Sequence, residues 1–262
     1  MIEIKCLEVT EFGAMRNEIA KLFKVCFGET LDSSLWEWAY LKNPTGRPII
    51  VVALVNGNLI GHYAMIPMPF LQDDLRYLGY LSMTTMVHPE FRRYGLFKEL
   101  ASIAYSNALP ETFVYGFPNS NSTPGFKKRL EWEISDNFQI ATVSSKDFIN
   151  YLSSMPENAR DTLDILDKKF IDWRLSKPGT RYCADRSLIY KEYNGEIDIL
   201  TTDRDAISVF EGSKKNLNLL TSDESLINSA TTLKKYQFGY RNFNSSMNLS
   251  RLNPNLLMSD VF

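Results

Sequence analysis

Residues 88–100 read HPEFRRYGLFKEL, in which Arg92, Arg93 and Gly95 stand directly before a run of helix-forming residues. A helix amino terminus carries unpaired amides and a partial positive charge, and so attracts phosphate. A glycine there lets the backbone close around an anion, and arginines add bidentate donors. The same spacing also describes a plain strand-to-helix turn with two solvated arginines, and Arg-x-x-Gly alone does not separate the two. Candidates for proton chemistry are fewer. His62, in IGHYAM, has an ordinary pKa near neutrality and either takes a proton or packs in a core; His88 sits at the corner of the loop. The final NLLMSDVF is apolar with one acid. It is expected to dock through Leu256, Leu257 and Val261, carrying Asp260 and the carboxylate of Phe262 as a structural tail or as a base.

The elements that must position these groups are legible from periodicity. MIEIKCLEV alternates and reads as a strand, and Ile19, Leu22, Phe23, Cys26 and Phe27 fall at helical spacing over 13–27. LDSSLWEWAYL reads as a short helix capped by Asp32 or Ser33 and stopped by NPTG. Asn56-Gly57 joins two apolar runs as a hairpin, and LRYLGYLSMTTMV extends it to a three-stranded meander ended by Pro89. Thr84 and Thr85 alternate across that last strand, so one of them faces each side. Leu96, Phe97, Leu100, Ile103, Ala104 and Ala108 form one helix face, and ETFVYGF is a further strand. This order predicts a mixed sheet covered by helices with a parallel step at its centre. Beyond residue 145 a helix is expected over 158–175. Two strands, RYCADRSLIYKEY and EIDILTT, then flank Asn194-Gly195. WAYLKNPTGRP before one hairpin and WRLSKPGTRY before the other suggest an internal repeat with Trp38 and Trp173 in matching places. The second copy is degenerate, because no Arg-x-x-Gly loop follows residue 200.

Composition excludes several classes. Lys+Arg 29 against Asp+Glu 31 leaves a net charge of -2, so no basic field recruits nucleic acid. Cys6, Cys26 and Cys183 form neither a disulfide framework nor a CxxC pair, and with two histidines no metal site is expected. The N-terminus lacks a signal pattern and no apolar run approaches 18 residues, so a soluble cytoplasmic protein without membrane partners is expected. No G-x4-G-K-[ST] phosphate loop occurs.

MTTMVHPEFRRYGLFKELASIA resembles the strand–loop–helix of the GCN5-related N-acetyltransferase (GNAT) superfamily, with Val87, Pro89, Arg92 and Gly95 on its motif. Phe97 departs from it, standing where a small residue is usual. FVYGFPNSNSTPGFKKRLEW resembles the second motif, with Asn119 or Asn121 as its asparagine. The resemblance implies an α/β fold with a GNAT-like mixed central sheet and flanking helices. A GNAT-like acyl-coenzyme A domain would cover residues 1–145, and a smaller, degenerate α/β half residues 146–262. It implies acyl-coenzyme A as co-substrate, bound by Thr85, Met86 and Val87, by the amides of Arg92, Arg93, Tyr94, Gly95, Leu96 and Phe97, and by Asn121. A small-molecule amine acceptor would meet Tyr63, Tyr80, Thr84 and Asn119, with His62, Asp260 or Phe262 taking its proton. The tyrosine that often protonates the departing thiol has no counterpart in GFKKRL, where Phe126, Lys127 and Lys128 stand. The runs YLGY, GHYAM and FVYGFPNSN look like the branch that acylates amino sugars, including nucleotide-linked ones for surface polysaccharides. Transfer to a peptide, aminoglycoside or polyamine, and a non-catalytic acyl-coenzyme A-binding domain, are the alternatives.

Overall fold

Asn56 and Gly57 adopt φ of +49° and +78°, the left-handed pair that a two-residue hairpin requires. They join β2 (Ile49–Val55) to β3 (Asn58–Gln72), and β4 (Leu75–Val87) completes the antiparallel meander. The computed structural model describes residues 1–155, 163–185, 188–202 and 204–259. Before the meander come β1 (Ile2–Cys6), α1 (Val9–Phe27) and α2 (Ser33–Tyr40), whose Asp32 carboxylate accepts from the Ser34 and Leu35 amides. After it, a 3-10 turn over Pro89–Tyr94 leads through Gly95 into α3 (Leu96–Ser106). β5 (Thr112–Gly116) then lies parallel to β4, and α4 (Thr123–Arg129) and β6 (Glu133–Ser135) follow.

The rest of the chain repeats this plan in shorter form. β7 (Gln139–Ser144) and α5 (Ser145–Ser154) precede α6 (Lys168–Leu175), capped by Asp167 as α2 is by Asp32. β8 (Cys183–Asp185), β9 (Leu188–Tyr193) and β10 (Glu196–Thr202) form a second meander, with Asn194 and Gly195 at φ of +51° and +83° in its turn. α7 (Ile207–Phe210), β11 (Asn216–Thr221), α8 (Glu224–Ser229), β12 (Thr232–Lys235) and β13 (Phe238–Phe243) complete it.

Among the described residues the first sheet runs β1-β2-β3-β4-β5-β13-β6 and the second β8-β9-β10-β11-β7-β12. Aligned on their meanders, the two orders match, with β7 in the place that β13 holds. The halves have therefore exchanged a strand: β7 pairs with β11 and β12, and β13 pairs with β5 and β6. The expected division at 145/146 is crossed in both directions by this exchange. At the axis between the halves, Trp38 and Trp173 stack with centroids 4.6 Å apart and planes 9° from parallel. Each indole donates to the other's carbonyl at 2.8 Å, the reciprocal pattern of an isologous contact. One apolar core, with residues from both sheets, fills the space between them, and two smaller cores lie under the outer helices.

Arg174, 1% exposed, sits over the Trp38 ring and donates to the carbonyls of Leu257 and Ser259 at 2.9 and 2.8 Å. Leu256, Leu257 and Met258 are fully buried there, so the segment docks as its composition suggests. Val261, Asp260 and Phe262 lie outside the described residues. Two readings are corrected. The helix expected over 158–175 starts at Lys168, because Leu163 bridges to Phe70 and Asp167 caps a later start; residues 156–162 lie outside the described set. RYCADRSLIYKEY is two strands, β8 and β9, rather than one.

Candidate active site at the parting of two parallel strands

β4 and β5 are paired only at Gly79–Phe113, Tyr80–Val114 and Leu81–Tyr115. Beyond Leu81 they separate, leaving one edge of β4 open. Two cavities occupy the opening, an inner one of about 190 Å³ and an outer one of about 560 Å³. Phe27, Thr85, Asn119, Ser122 and Phe126 line both, so the two are continuous. Backbone pairing explains what the open edge offers. His88 donates to the Ile60 carbonyl at 2.8 Å, and the register continues as Gly61–Val87 and His62–Met86. Hydrogen-bonded and non-bonded pairs alternate, so the Thr85 and Val87 peptide groups face away from β3, toward the cleft.

A bulge interrupts that register between His62 and Ala64, where Thr84 takes φ of +52°. The extra residue breaks the alternation, and Thr84 and Thr85 both line the inner cavity. The expectation that only one of them faces the cleft is corrected on that ground.

At the outer end, Gly95 takes φ of +75° and no side chain caps α3. A Cβ built on Gly95 meets nothing within 4 Å, so the backbone here is open to a ligand. Arg92 lines the outer cavity, with its Nε 3.4 Å from the Val87 carbonyl oxygen. Thr85, Met86, Val87, Arg92, Phe97 and Asn121 are thus brought together around the outer cavity, and Thr84 and Asn119 join at the inner one. Arg93, Tyr94, Gly95 and Leu96 line neither cavity; Arg93 and Tyr94 are exposed and Leu96 is buried. Phe97 packs against the core that holds Leu96, Leu100 and Ala101. It packs edge-on against Phe126 at 5.2 Å and against Gly125, bracing α3 on α4 at the cavity wall.

Three proposed side chains fall elsewhere. His62 is fully buried and lines neither cavity, because its strand face packs toward α2, edge-on to Tyr40. Burial lowers its pKa to about 4, against a raising effect of the hydrogen bond to the Thr84 backbone. It is therefore neutral at physiological pH, and walled off from any amine in the cleft. Tyr63 is fully buried and shares hydrogen bonds with Tyr105 and Ser82; burial pushes its phenol well up. Tyr80 lines a separate hollow beside Arg47 and Leu109, and burial raises its pKa also. Asp260 and Phe262 lie outside the described residues.

Sequence reasoning missed the end of α1. Cys26 donates its thiol to the Val87 carbonyl oxygen at 3.6 Å, and Phe27 lines both cavities although it is half exposed. Burial raises the Cys26 thiol pKa, partly opposed by Arg92. An exposed aromatic on an otherwise apolar helix face was the available signal. Ser122 and Trp132 were also missed; Trp132 donates its indole N–H to Tyr105 at 2.9 Å beneath the inner cavity. Neither lining contains a carboxylate, whereas Arg92 and Arg129 line the outer one. No group of three or more metal-ligating side chains occurs among the described residues, and no helix there is long and apolar enough to cross a membrane.

Residues 14–135 match the family model of the GNAT acetyltransferase domain. Solved structures agree on the fold over the whole chain. A GCN5-related N-acetyltransferase from Kribbella flavida is 10% identical, with a TM-score of 0.64 over 92% of this chain and 72% of its own. A conserved protein of Enterococcus faecalis V583 is 13% identical, with a TM-score of 0.61 over 93% of this chain and 73% of its own. A GCN5-related N-acetyltransferase from Anabaena variabilis ATCC 29413 is 12% identical, with a TM-score of 0.54 over 93% and 73%. At such identities the likeness establishes the fold. No curated protein matches the chain.

Proposed function

We propose that the protein is an acyl-coenzyme A-dependent N-acyltransferase acting on the amine of a small molecule. The observation that carries this is the open edge of β4 leading from the inner cavity to the uncapped start of α3. The Thr85 and Val87 peptide groups offer a thioester's pantetheine arm the bonding of an added strand. Pyrophosphate suits the free amides after Gly95, with Arg92 beside them. GNAT domains use acetyl-coenzyme A in general, and these residues fit that group. The coenzyme supplies an activated thioester, and this chain's own groups orient it, keep water away and receive the amine. No covalent enzyme intermediate is needed, so the three free cysteines need no catalytic role.

For the acceptor we propose an amino sugar, free or nucleotide-linked. Hydroxyl and amide groups of Ser82, Thr84, Thr85, Asn119 and Ser122 surround the inner cavity together with aromatic faces. That lining suits a polyhydroxylated ring, and its lack of carboxylates disfavours polycationic acceptors such as aminoglycosides and polyamines. A second reading, a coenzyme-binding domain without turnover, is supported by one observation: His62 is buried and lines neither cavity. The test is free-thiol release from acetyl- and longer acyl-coenzyme A with a panel of amino sugars, polyamines and peptides. Release with amino sugars supports the proposal; release only with polyamines or peptides overturns the acceptor, and binding without release selects the second reading. Deleting residues 260–262 tests Asp260 and Phe262 as the base: a base there gives a fall in kcat of about 10²–10⁴-fold with coenzyme binding kept.

A further inference from the structure

We infer that His62 is a positioning residue, which holds the Thr84 carbonyl from behind and thereby aims the Thr85 N–H at the reacting thioester carbonyl. The inference rests on the acyl-transfer reading above. Thr84 occupies left-handed backbone at φ of +52°, a conformation that threonine adopts only when its surroundings impose it. Two buried side chains do so. His62 Nδ1 lies 2.7 Å from the Thr84 carbonyl oxygen, and the Tyr40 hydroxyl donates to Thr84 Oγ1 at 3.0 Å. A carbonyl oxygen can only accept, so the imidazole carries its proton on Nδ1. Nε2 is buried without a hydrogen-bond partner among the described residues. This histidine therefore has one polar contact, and that contact is to the bulge.

The rest follows from peptide geometry. The Thr84–Thr85 peptide is trans, as every described peptide bond is, and in a trans peptide the C=O and the following N–H point in opposite directions. Fixing the Thr84 oxygen on His62 directs the Thr85 N–H the other way, to the side where Thr85 lines both cavities. β5 is no longer paired with β4 at this height, so that strand does not claim the N–H. When an amine nitrogen attacks a thioester, the carbonyl oxygen gains negative charge until the C–S bond breaks and the thiolate leaves. A fixed N–H aimed at that oxygen stabilises the charge without reorganising. His62 touches neither substrate nor cofactor in this scheme and acts through the backbone.

The test compares His62→Asn, His62→Leu and wild type. The asparagine Nδ2 can occupy the place of the imidazole Nδ1 and keep the donor, whereas leucine removes it. His62→Leu is expected to lower kcat by about 10²-fold, leaving KM for the acyl-coenzyme A close to wild type, and His62→Asn to restore kcat. His62→Phe keeps a buried ring without the donor and replaces His62→Leu should that variant not fold. Activity lost equally in His62→Asn overturns the inference, because the imidazole itself would then be needed; full kcat in His62→Leu or His62→Phe overturns it too. Calorimetry separates this from the underlying reading. A wild-type protein that binds no coenzyme A overturns the acyl-transfer reading and the inference together, whereas binding and turnover with either adverse variant result overturn the inference alone.

Discussion

The two halves part their central parallel strands in the same way and line the opening in opposite ways. β10 and β11 pair at Ile197–Leu217 and Asp198–Asn218 and then diverge, leaving a cavity of about 550 Å³ that matches the outer cavity of the first half in size. Between β4 and β5 stands an eleven-residue helix with an uncapped start; between β10 and β11 stand a 3-10 turn and the four-residue α7. The first opening presents Arg92 and Arg129, the second Asp223 and Glu224. Asp223 already accepts from the Ser225 and Leu226 amides at the start of α8, and its hydrogen bond from the Ser225 hydroxyl is the largest cause of its lowered pKa. A parting of strands thus belongs to the sheet topology alone. An anion site additionally needs free amides and cations, and among the described residues that line the two openings only those of the first half include arginines.

The sharpest way to break the comparison is to cut it. A fragment of residues 1–145 lacks β13, leaving the outer edge of β5 and all of β6 without a partner. An exposed edge of that kind aggregates, so the fragment is expected to show no cooperative melt and to sediment as aggregate. A soluble, cooperatively melting fragment would show that the exchange is dispensable.

Next in size is the axis itself. Trp173→Ala removes the stack and the hydrogen bond that its indole donates to the Trp38 carbonyl, and should destabilise by roughly 3–5 kcal/mol in denaturant titration. Trp38→Ala should cost a similar amount, and the double variant clearly less than the sum, since both single changes delete the same stack.

Acid sensitivity should originate in the first half, which holds both histidines of the chain. The folded pKa of His62 is lowered to about 4 from 6.5, so the unfolded chain binds the proton more readily between those values. The stabilisation is full above pH 6.5 and is lost as pH falls toward 4, by up to roughly 3 kcal/mol. Denaturant midpoints at pH 7 and pH 4.5 should therefore fall further apart in wild type than in His62→Asn.

The smallest effect concerns the ligand. Arg92→Ala should weaken coenzyme A binding about tenfold, roughly 1.4 kcal/mol. Gly95→Val should do at least as much, because a β-branched residue resists φ of +75°. Glu224→Ala, in the second opening, should leave the calorimetric affinity unchanged, and a matching loss there would mean that both openings take the coenzyme.

Local chemistry made much of this legible in the sequence. The Asn-Gly turns, the Asp32 cap and the glycine before α3 are short-range signals, and the matching places of Trp38 and Trp173 in a repeat were legible too, although their stacking was not. The strand exchange was not readable, because nothing in a strand's own sequence names its neighbour. The bulge at Thr84 escaped for a related reason. Two threonines look alike until a histidine on the adjacent strand takes hold of one carbonyl. His62 itself was drawn to the cleft by its ordinary pKa, a quantity that burial had already changed. Phe27 and Cys26 were hidden on a helix whose end, rather than whose face, reaches the cavity.

The exchanged strand also sets a schedule for synthesis. β5 and β6 leave the ribosome with no strand to lie between them, and β13 follows β6 by roughly a hundred residues, on the order of 5–20 s of translation. Throughout that interval the open edge of β5 must be shielded, by the nascent chain's own β7 or by a chaperone. The first half, which carries the candidate active site, is thus finished only when the second is nearly complete.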